Sequence, residues 1–229
     1  MKAGIKHSII ARLRSSLAIT VISLLSVGLI PQSYAIPANP YFHPYFGGTV
    51  GYGTSTWEYL VPNRPGAGIN LSTPTSVQEG GGAWGVFGGI ELLPQFAVEA
   101  DYQHYPRATL NFDPIYSMFS FDHDGETVLV THTETVSIQA KLMLPIPKHE
   151  RLRLYSSFGV GGIHRYDAIV DRWKVTPGFG FGANYTFNSH IMLELGAEYL
   201  AGYGQSDLNP AEHFIPFLYS VFLRFAYKV

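Results

Sequence analysis

The stretch Tyr219-Ser220-Val221-Phe222-Leu223-Arg224-Phe225-Ala226-Tyr227-Lys228-Val229 alternates along its whole length. Side chains two apart share a face of an extended chain. Tyr219, Val221, Leu223, Phe225, Tyr227 and Val229 therefore form one apolar face, while Ser220, Arg224, Ala226 and Lys228 share the other with Phe222. A strand with one greasy face and one polar face needs two different surroundings.

The same period recurs upstream. Val175, Phe179, Phe181, Ala183, Tyr185 and Phe187 stand against Thr176, Gly178, Gly180, Gly182, Asn184 and Thr186. Ile191, Leu193, Leu195 and Tyr199 oppose Glu194, Gly196 and Glu198, and Phe96, Val98 and Tyr102 oppose Glu99, Asp101 and Gln103. Eight strands are predicted, near 43 to 55, 82 to 92, 96 to 106, 133 to 144, 152 to 165, 174 to 187, 190 to 201 and 215 to 229. Short turns at Leu93-Pro94-Gln95, Pro145 to Glu150 and Asn188-Ser189 alternate with longer connections at 56 to 81, 107 to 132, 166 to 173 and 202 to 214. That alternation predicts an all-β fold, an eight-stranded antiparallel up-and-down transmembrane β-barrel with its short turns in the periplasm.

Composition agrees. Of 229 residues only 14% are charged, while 46% are hydrophobic and 14% aromatic; an average soluble domain carries roughly 25% charged residues. The chain has no Cys, which excludes disulfides, thiolate metal sites and a thiol nucleophile. Lys2, Lys6, Arg12 and Arg14 precede an apolar run from Leu17 to Ile30 and the small residues Ser33 and Ala35. That run is too short for a spanning helix and reads as a secretory signal peptide, residues 1–35, cleaved after Ala35 to leave a barrel domain at 36–229. The mature chain then carries 11 Lys+Arg against 17 Asp+Glu, a net charge of −6, which disfavours nucleic acid as a partner.

The charges inside the predicted strands fall on the less apolar parity: Glu91, Glu99, Asp101, Glu194 and Glu198, with Lys141, Arg153, Arg165, Arg224 and Lys228. These ten are expected to form a paired network in the lumen, together with aromatic groups such as Phe87. Glu134 sits on the apolar parity, and its place at a strand start puts it at the barrel rim, where a lipid-side charge costs far less than at the midplane. A soluble lipocalin-like carrier is the competing barrel, since Gly82-Ala83-Trp84 matches a Gly-x-Trp fingerprint. Its non-apolar parity would have to face water, whereas here that parity is mostly Gly, Ser and Thr with sign-balanced charges, which suits a crowded lumen.

Taken together, Tyr45-Phe46-Gly47-Gly48 with Gly51, the hairpin from Gly88 to Tyr102, a cognate hairpin from Gly178 to Tyr199 and the alternating last strand resemble the transmembrane domain of the OmpA-like outer-membrane barrel superfamily. The resemblance spans roughly residues 41 to 229. It implies localisation in the cell outer membrane and a C-terminal signal read by the outer-membrane assembly machinery, carried by Tyr219, Val221, Leu223, Phe225, Tyr227 and Val229. The family usually ends in an aromatic residue where this chain has Val229. The resemblance is to the transmembrane domain only, so a cell-wall tether is not among its expectations.

Eight strands enclose a space that side chains can fill. The lumen is therefore expected to be a structural plug with at most small, fluctuating conduction. No cofactor and no metal is expected: Asp122-His123-Asp124-Gly125-Glu126 lacks the spaced ligands of a calcium loop and reads as an Asp-Gly turn. Lipid A-modifying barrels present a nucleophile and base at the outer edge. Here His132, Glu134, Ser137 and His104 can be drawn as such a set, but rim polar residues explain them equally, and the reading is not an enzyme. Trp57, Tyr59, Trp84, Trp173, Tyr199 and Tyr203 are expected in an outer aromatic girdle, and Tyr45, Phe46, Tyr185, Phe187 and Tyr227 in an inner one. The expected function is a structural or adhesin-like surface role through the loops at 56 to 81 and 107 to 132, as a monomer. Expected partners are outer-membrane lipid and lipopolysaccharide, and host surface molecules or phage. A lipid A-modifying enzyme, a small ion channel and the soluble carrier are the alternatives.

Overall fold

Ten strands and one short helix account for most of the described residues. A computed structural model describes residues 42–61, 74–113, 126–203 and 214–229. In chain order the elements are β1 (His43–Thr54), the 3-10 turn η1 (Trp57–Leu60), β2 (Ser76–Gln78), β3 (Gly81–Leu93), β4 (Phe96–His104), β5 (Ala108–Asn111), β6 (Val128–Ile146), β7 (His149–Tyr166), β8 (Asp171–Thr186), β9 (Ile191–Leu200) and β10 (Leu218–Lys228). Eight of them, β1, β3, β4, β6, β7, β8, β9 and β10, pair antiparallel with their neighbours in sequence order. The ring closes where β1 meets β10, from Tyr45 opposite Lys228 to Thr54 opposite Tyr219.

Closure at that seam depends on small residues. A Cβ built on Gly47 would lie 1.9 Å from the Phe225 carbonyl oxygen, and one on Gly51 would lie 2.2 Å from that of Val221. The two backbones approach too closely for any side chain at those positions.

The short turns are made by local chemistry. Asn188 Oδ1 accepts from the backbone N–H of His190 and Ile191, both at 2.8 Å, closing β8 to β9. Lys148 takes a left-handed φ of 71° between β6 and β7. At the opposite end the Asp167 carboxylate accepts from the N–H groups of Ile169 and Val170, shaping the β7–β8 connection.

The observed strands lie within about three residues of the predicted ends on the short-turn side; on the other, β6 and β8 start before the predicted 133 and 174, while β4 ends before 106 and β10 starts after 215. A bilayer crossing takes about 9–11 residues, yet β6, β7 and β8 have 19, 18 and 16. Their surplus residues rise past the rest of the wall, and β5 and then β2 add to the extended edge of β6. The parts of the predicted loops 56 to 81 and 107 to 132 that the structure describes are therefore folded. Trp57, Leu60, Ala108, Leu110, Phe112, Leu129 and Phe214 bury one another in a small core over the barrel mouth, with Val77 and Ile169 against it. Sequence periodicity missed this cap because its pieces are three or four residues long. Glu79 ties it together by accepting from Ser55 Oγ and Trp57 N, both at 2.8 Å, and from Glu58 N at 3.3 Å.

Candidate functional site: a charged lumen under an apolar cap

All ten charges singled out on the less apolar parity are buried and face inward. They form three tiers. Nearest the short turns, Glu91 Oε1 accepts from Arg153 Nη2 at 2.7 Å and Lys228 Nζ at 2.8 Å, while Arg153 Nε donates to Asn184 Oδ1 at 2.9 Å.

In the middle tier, Glu99 accepts from Lys141 Nζ at 3.1 Å, Arg224 Nη1 at 2.5 Å and the Tyr45 hydroxyl at 3.0 Å. Glu194 accepts from the same lysine at 2.5 Å and the same arginine at 3.3 Å. Asp101 accepts from Ser137 Oγ at 2.5 Å, and Gln139 bridges Ser137 to Glu198. Rings insulate the cations: Arg224 lies over Phe222 and Phe87 at 4.1 and 5.0 Å from the centroids, and Lys141 lies 4.2 Å over Tyr155.

Arg165 belongs to a third tier, beneath the cap. Its Nε donates to Asp167 Oδ2 at 2.7 Å, its Nη1 to the Phe214 carbonyl at 2.8 Å, and its guanidinium lies 4.6 Å over the Trp57 ring. Its acid partner, Asp167, sits in a connection rather than a strand, so a search for strand charges overlooked it. Between the middle tier and the cap lies an apolar layer of Tyr105, Ile163, Leu200, Ile215 and Leu218.

Three of the expected girdle residues are elsewhere: Tyr59 is exposed but sits in η1, off the barrel wall. Trp57 is fully buried in the cap. Tyr45 has the inward parity of β1 and bonds Glu99. The other rings do face outward: Trp84, Trp173 and Tyr203 are exposed at one end, with Tyr199 stacked on Phe217 beside them, and Phe46, Tyr185, Phe187 and Tyr227 at the other. Glu134 also faces outward, level with Trp84 and Trp173. There the Tyr166 hydroxyl donates to it at 3.4 Å, and the His104 and His164 Nδ1 atoms lie 3.4 and 3.9 Å away.

The set drawn from His132, Glu134 and Ser137 divides across the wall. His132 and Glu134 point outward, while Ser137 is buried in the lumen on Asp101. No group of three or more His, Asp or Glu among the described residues is arranged to hold a metal ion. Residues 122–125 of the Asp-Gly segment lie outside the described residues, as does the whole of the expected signal peptide.

A family model described as the outer membrane protein beta-barrel domain matches residues 22–215. The chain belongs to this outer-membrane β-barrel family. Its fold is similar to that of the N-terminal β-barrel domain of Pseudomonas aeruginosa OprF, at 11% identity and a TM-score of 0.47, covering 83% of this chain and 98% of that one. The outer membrane protein OprG from Pseudomonas aeruginosa is similar at 10% identity and a TM-score of 0.49, covering 83% and 97%. Ail of Yersinia pestis, in complex with the heparin analogue sucrose octasulfate, is similar at 12% identity and a TM-score of 0.41, covering 81% and 99%. A search of the curated proteins finds no match.

For an outer-membrane barrel the two surroundings demanded by the last strand now have names. The outward parity, with Val50, Phe179, Phe181, Leu195 and Phe225 all more than half exposed, faces lipid. The inward parity faces its own charges. A soluble carrier, with its apolar parity inside, does not describe this chain.

Proposed function

We propose that this barrel is a sealed, monomeric scaffold with a structural or adhesin-like role, acting through the surface it presents outside the membrane. The observation that carries this reading is the filling of the lumen by side chains: among the described residues, three charged tiers, an apolar layer and the cap succeed one another along it. A conducting or carrying barrel would keep space where this one keeps Arg153, Arg224, Phe87, Tyr155 and Trp57. Buried ion pairs of this kind are costly to break one partner at a time, so they serve as a fixed plug. The cap, in turn, is a packed platform flanked in sequence by residues 62–73, 114–125 and 204–213, and loops held by a rigid scaffold are where binding usually sits.

The enzyme reading is disfavoured because Ser137 and the His132 and Glu134 pair face opposite sides of the wall. The ten lumen charges are proposed as the plug, and the outward face of β10, from Tyr219 to Val229, as the segment recognised by the assembly machinery.

The test replaces residues 62–73 and 114–125 with short Gly-Ser linkers and measures binding of bacteria to host cells and to immobilised matrix proteins. Loss of binding with an intact heat-modifiable gel shift is expected. Unchanged binding, a changed lipid A mass on expression, or large steady currents in planar bilayers would each overturn the proposal.

A further inference from the structure

Above the lipid-facing belt, one outward row stands apart from the rest of the wall. Trp84, His104, Glu134, His164 and Trp173 are successive register partners across β3, β4, β6, β7 and β8. His164 stacks on Trp173 with centroids 4.6 Å apart and 2° between planes, and His104 lies 5.5 Å from Trp84. One level higher, His132 stacks on Tyr166 at 4.8 Å. Below the row, Val86 and Val136 are exposed apolar wall.

We propose that this row binds the phosphate of an anionic lipid headgroup in the outer leaflet, and that protonation of its imidazoles switches the binding on. Three features carry the proposal. Trp84 and Trp173 bracket the row, and interfacial Trp marks headgroup level in a membrane protein. A lipid seated there has its acyl chains against Val86 and Val136 and its phosphate beside His104, while His164, whose Nε2 lies 2.8 Å from Asp171 Oδ1, acts through its charge alone. The row also reverses its charge. With the imidazoles neutral, the Glu134 and Asp171 carboxylates outnumber the Arg107 guanidinium. With His104, His132 and His164 protonated, four cations face those two carboxylates. Imidazole is the side chain that makes such a change between about pH 5 and 8.

The groups facing the row are Tyr102 and His104 from β4, Arg107 after it, His132 and Glu134 from β6, His164 and Tyr166 from β7, and Asp171 from β8. Asp167 also acts on His132 but is bound to Arg165. His104 spends its Nδ1 on Glu134, so its Nε2 becomes a second donor only in the protonated ring. This inference rests on the row and the outer-membrane setting, and does not depend on the adhesin-like reading.

The experiment titrates the full chain, folded in a nonionic detergent, with dihexanoyl phosphatidylglycerol, dihexanoyl phosphatidylcholine and inorganic phosphate. Fluorescence of Trp84 and Trp173, each carrying an imidazole, is the readout. Phosphatidylglycerol, whose phosphodiester keeps a single charge across this range, is expected to bind about tenfold or more tightly at about pH 5.5 than at about pH 7.5. Phosphatidylcholine and inorganic phosphate are expected to bind far more weakly at both. His104→Gln with His164→Gln should lose the pH dependence, and Glu134→Gln should bind more tightly than the parent near neutral pH. Equal affinity at the two pH values in the unmodified chain overturns the proposal whether or not the variants fold. Equal binding of inorganic phosphate overturns the lipid assignment by showing a free-anion site.

Discussion

At the scale of single residues, Lys141 has the most at stake. It is shared by Glu99 and Glu194, and all three are nearly inaccessible to solvent. Lys141→Met would strip two carboxylates of a shared cation and leave Arg224 as the cation bonded to both. Removing one partner of a buried pair costs about 3–5 kcal/mol. That loss should appear as a lowered urea midpoint for the barrel in lipid vesicles, and adding Glu194→Gln should recover part of it. His132, beyond the lipid belt, makes a different prediction. Burial, then the Arg107 guanidinium and His104, hold its imidazole below the ordinary range. The unfolded chain therefore takes up that proton more readily than the folded one, so stability rises with pH. The contribution is intact above the ordinary imidazole value and is lost as pH falls from there through the depressed folded one. His132→Asn should flatten this acid slope in pH-dependent unfolding. These residues were legible to different degrees: parity alone put the ten strand charges on one face, but it could not pair them, because pairing depends on register across strands far apart in sequence.

Among the elements, the seam and the cap behave as opposites. Eight amphipathic strands were readable from period two because each presents five or more alternations. The cap was not, since η1, β2 and β5 are too short to show any period and are held by long-range contacts such as Glu79 on Trp57 N and Thr56 Oγ1 accepting from Phe217 N at 2.9 Å. The girdle assignment failed for Trp57 for the same reason: exposure was inferred from its loop position, and the cap buried it. Trp57 packs on Phe214 with centroids 5.0 Å apart and under Arg165. Trp57→Ala should cost about 3–5 kcal/mol and raise the frequency of brief openings in planar bilayers. At the seam the expected outcome is kinetic as well as energetic. Gly51→Val puts a branched side chain against the β10 backbone, so the heat-resistant band should form slowly or incompletely while secreted protein accumulates unfolded.

For the whole molecule, the two ends of the barrel are filled by different physics, ion pairs at the short turns and apolar packing at the long-loop end. Recombinant chain refolded into detergent should migrate differently boiled and unboiled, and should show only small, fluctuating conductance. Large steady currents would mean that the plug moves. The fold class was accessible from sequence because a membrane barrel must satisfy its backbone and hide its polar parity at once, and few other architectures do both. What binds outside is not encoded in that constraint, so the loops carried no comparable signal. The lumen tiers have one more consequence, for the order of assembly. Tyr45, Glu91, Glu99, Lys141, Arg153, Asn184, Glu194 and Arg224 come one from each of the eight barrel strands. A half-built sheet would carry bare charges into hydrocarbon with their partners still outside. The last strand therefore does more than complete the ring. By delivering Arg224 between Glu99 and Glu194, it neutralises what earlier strands brought in, so that insertion and closure become one event.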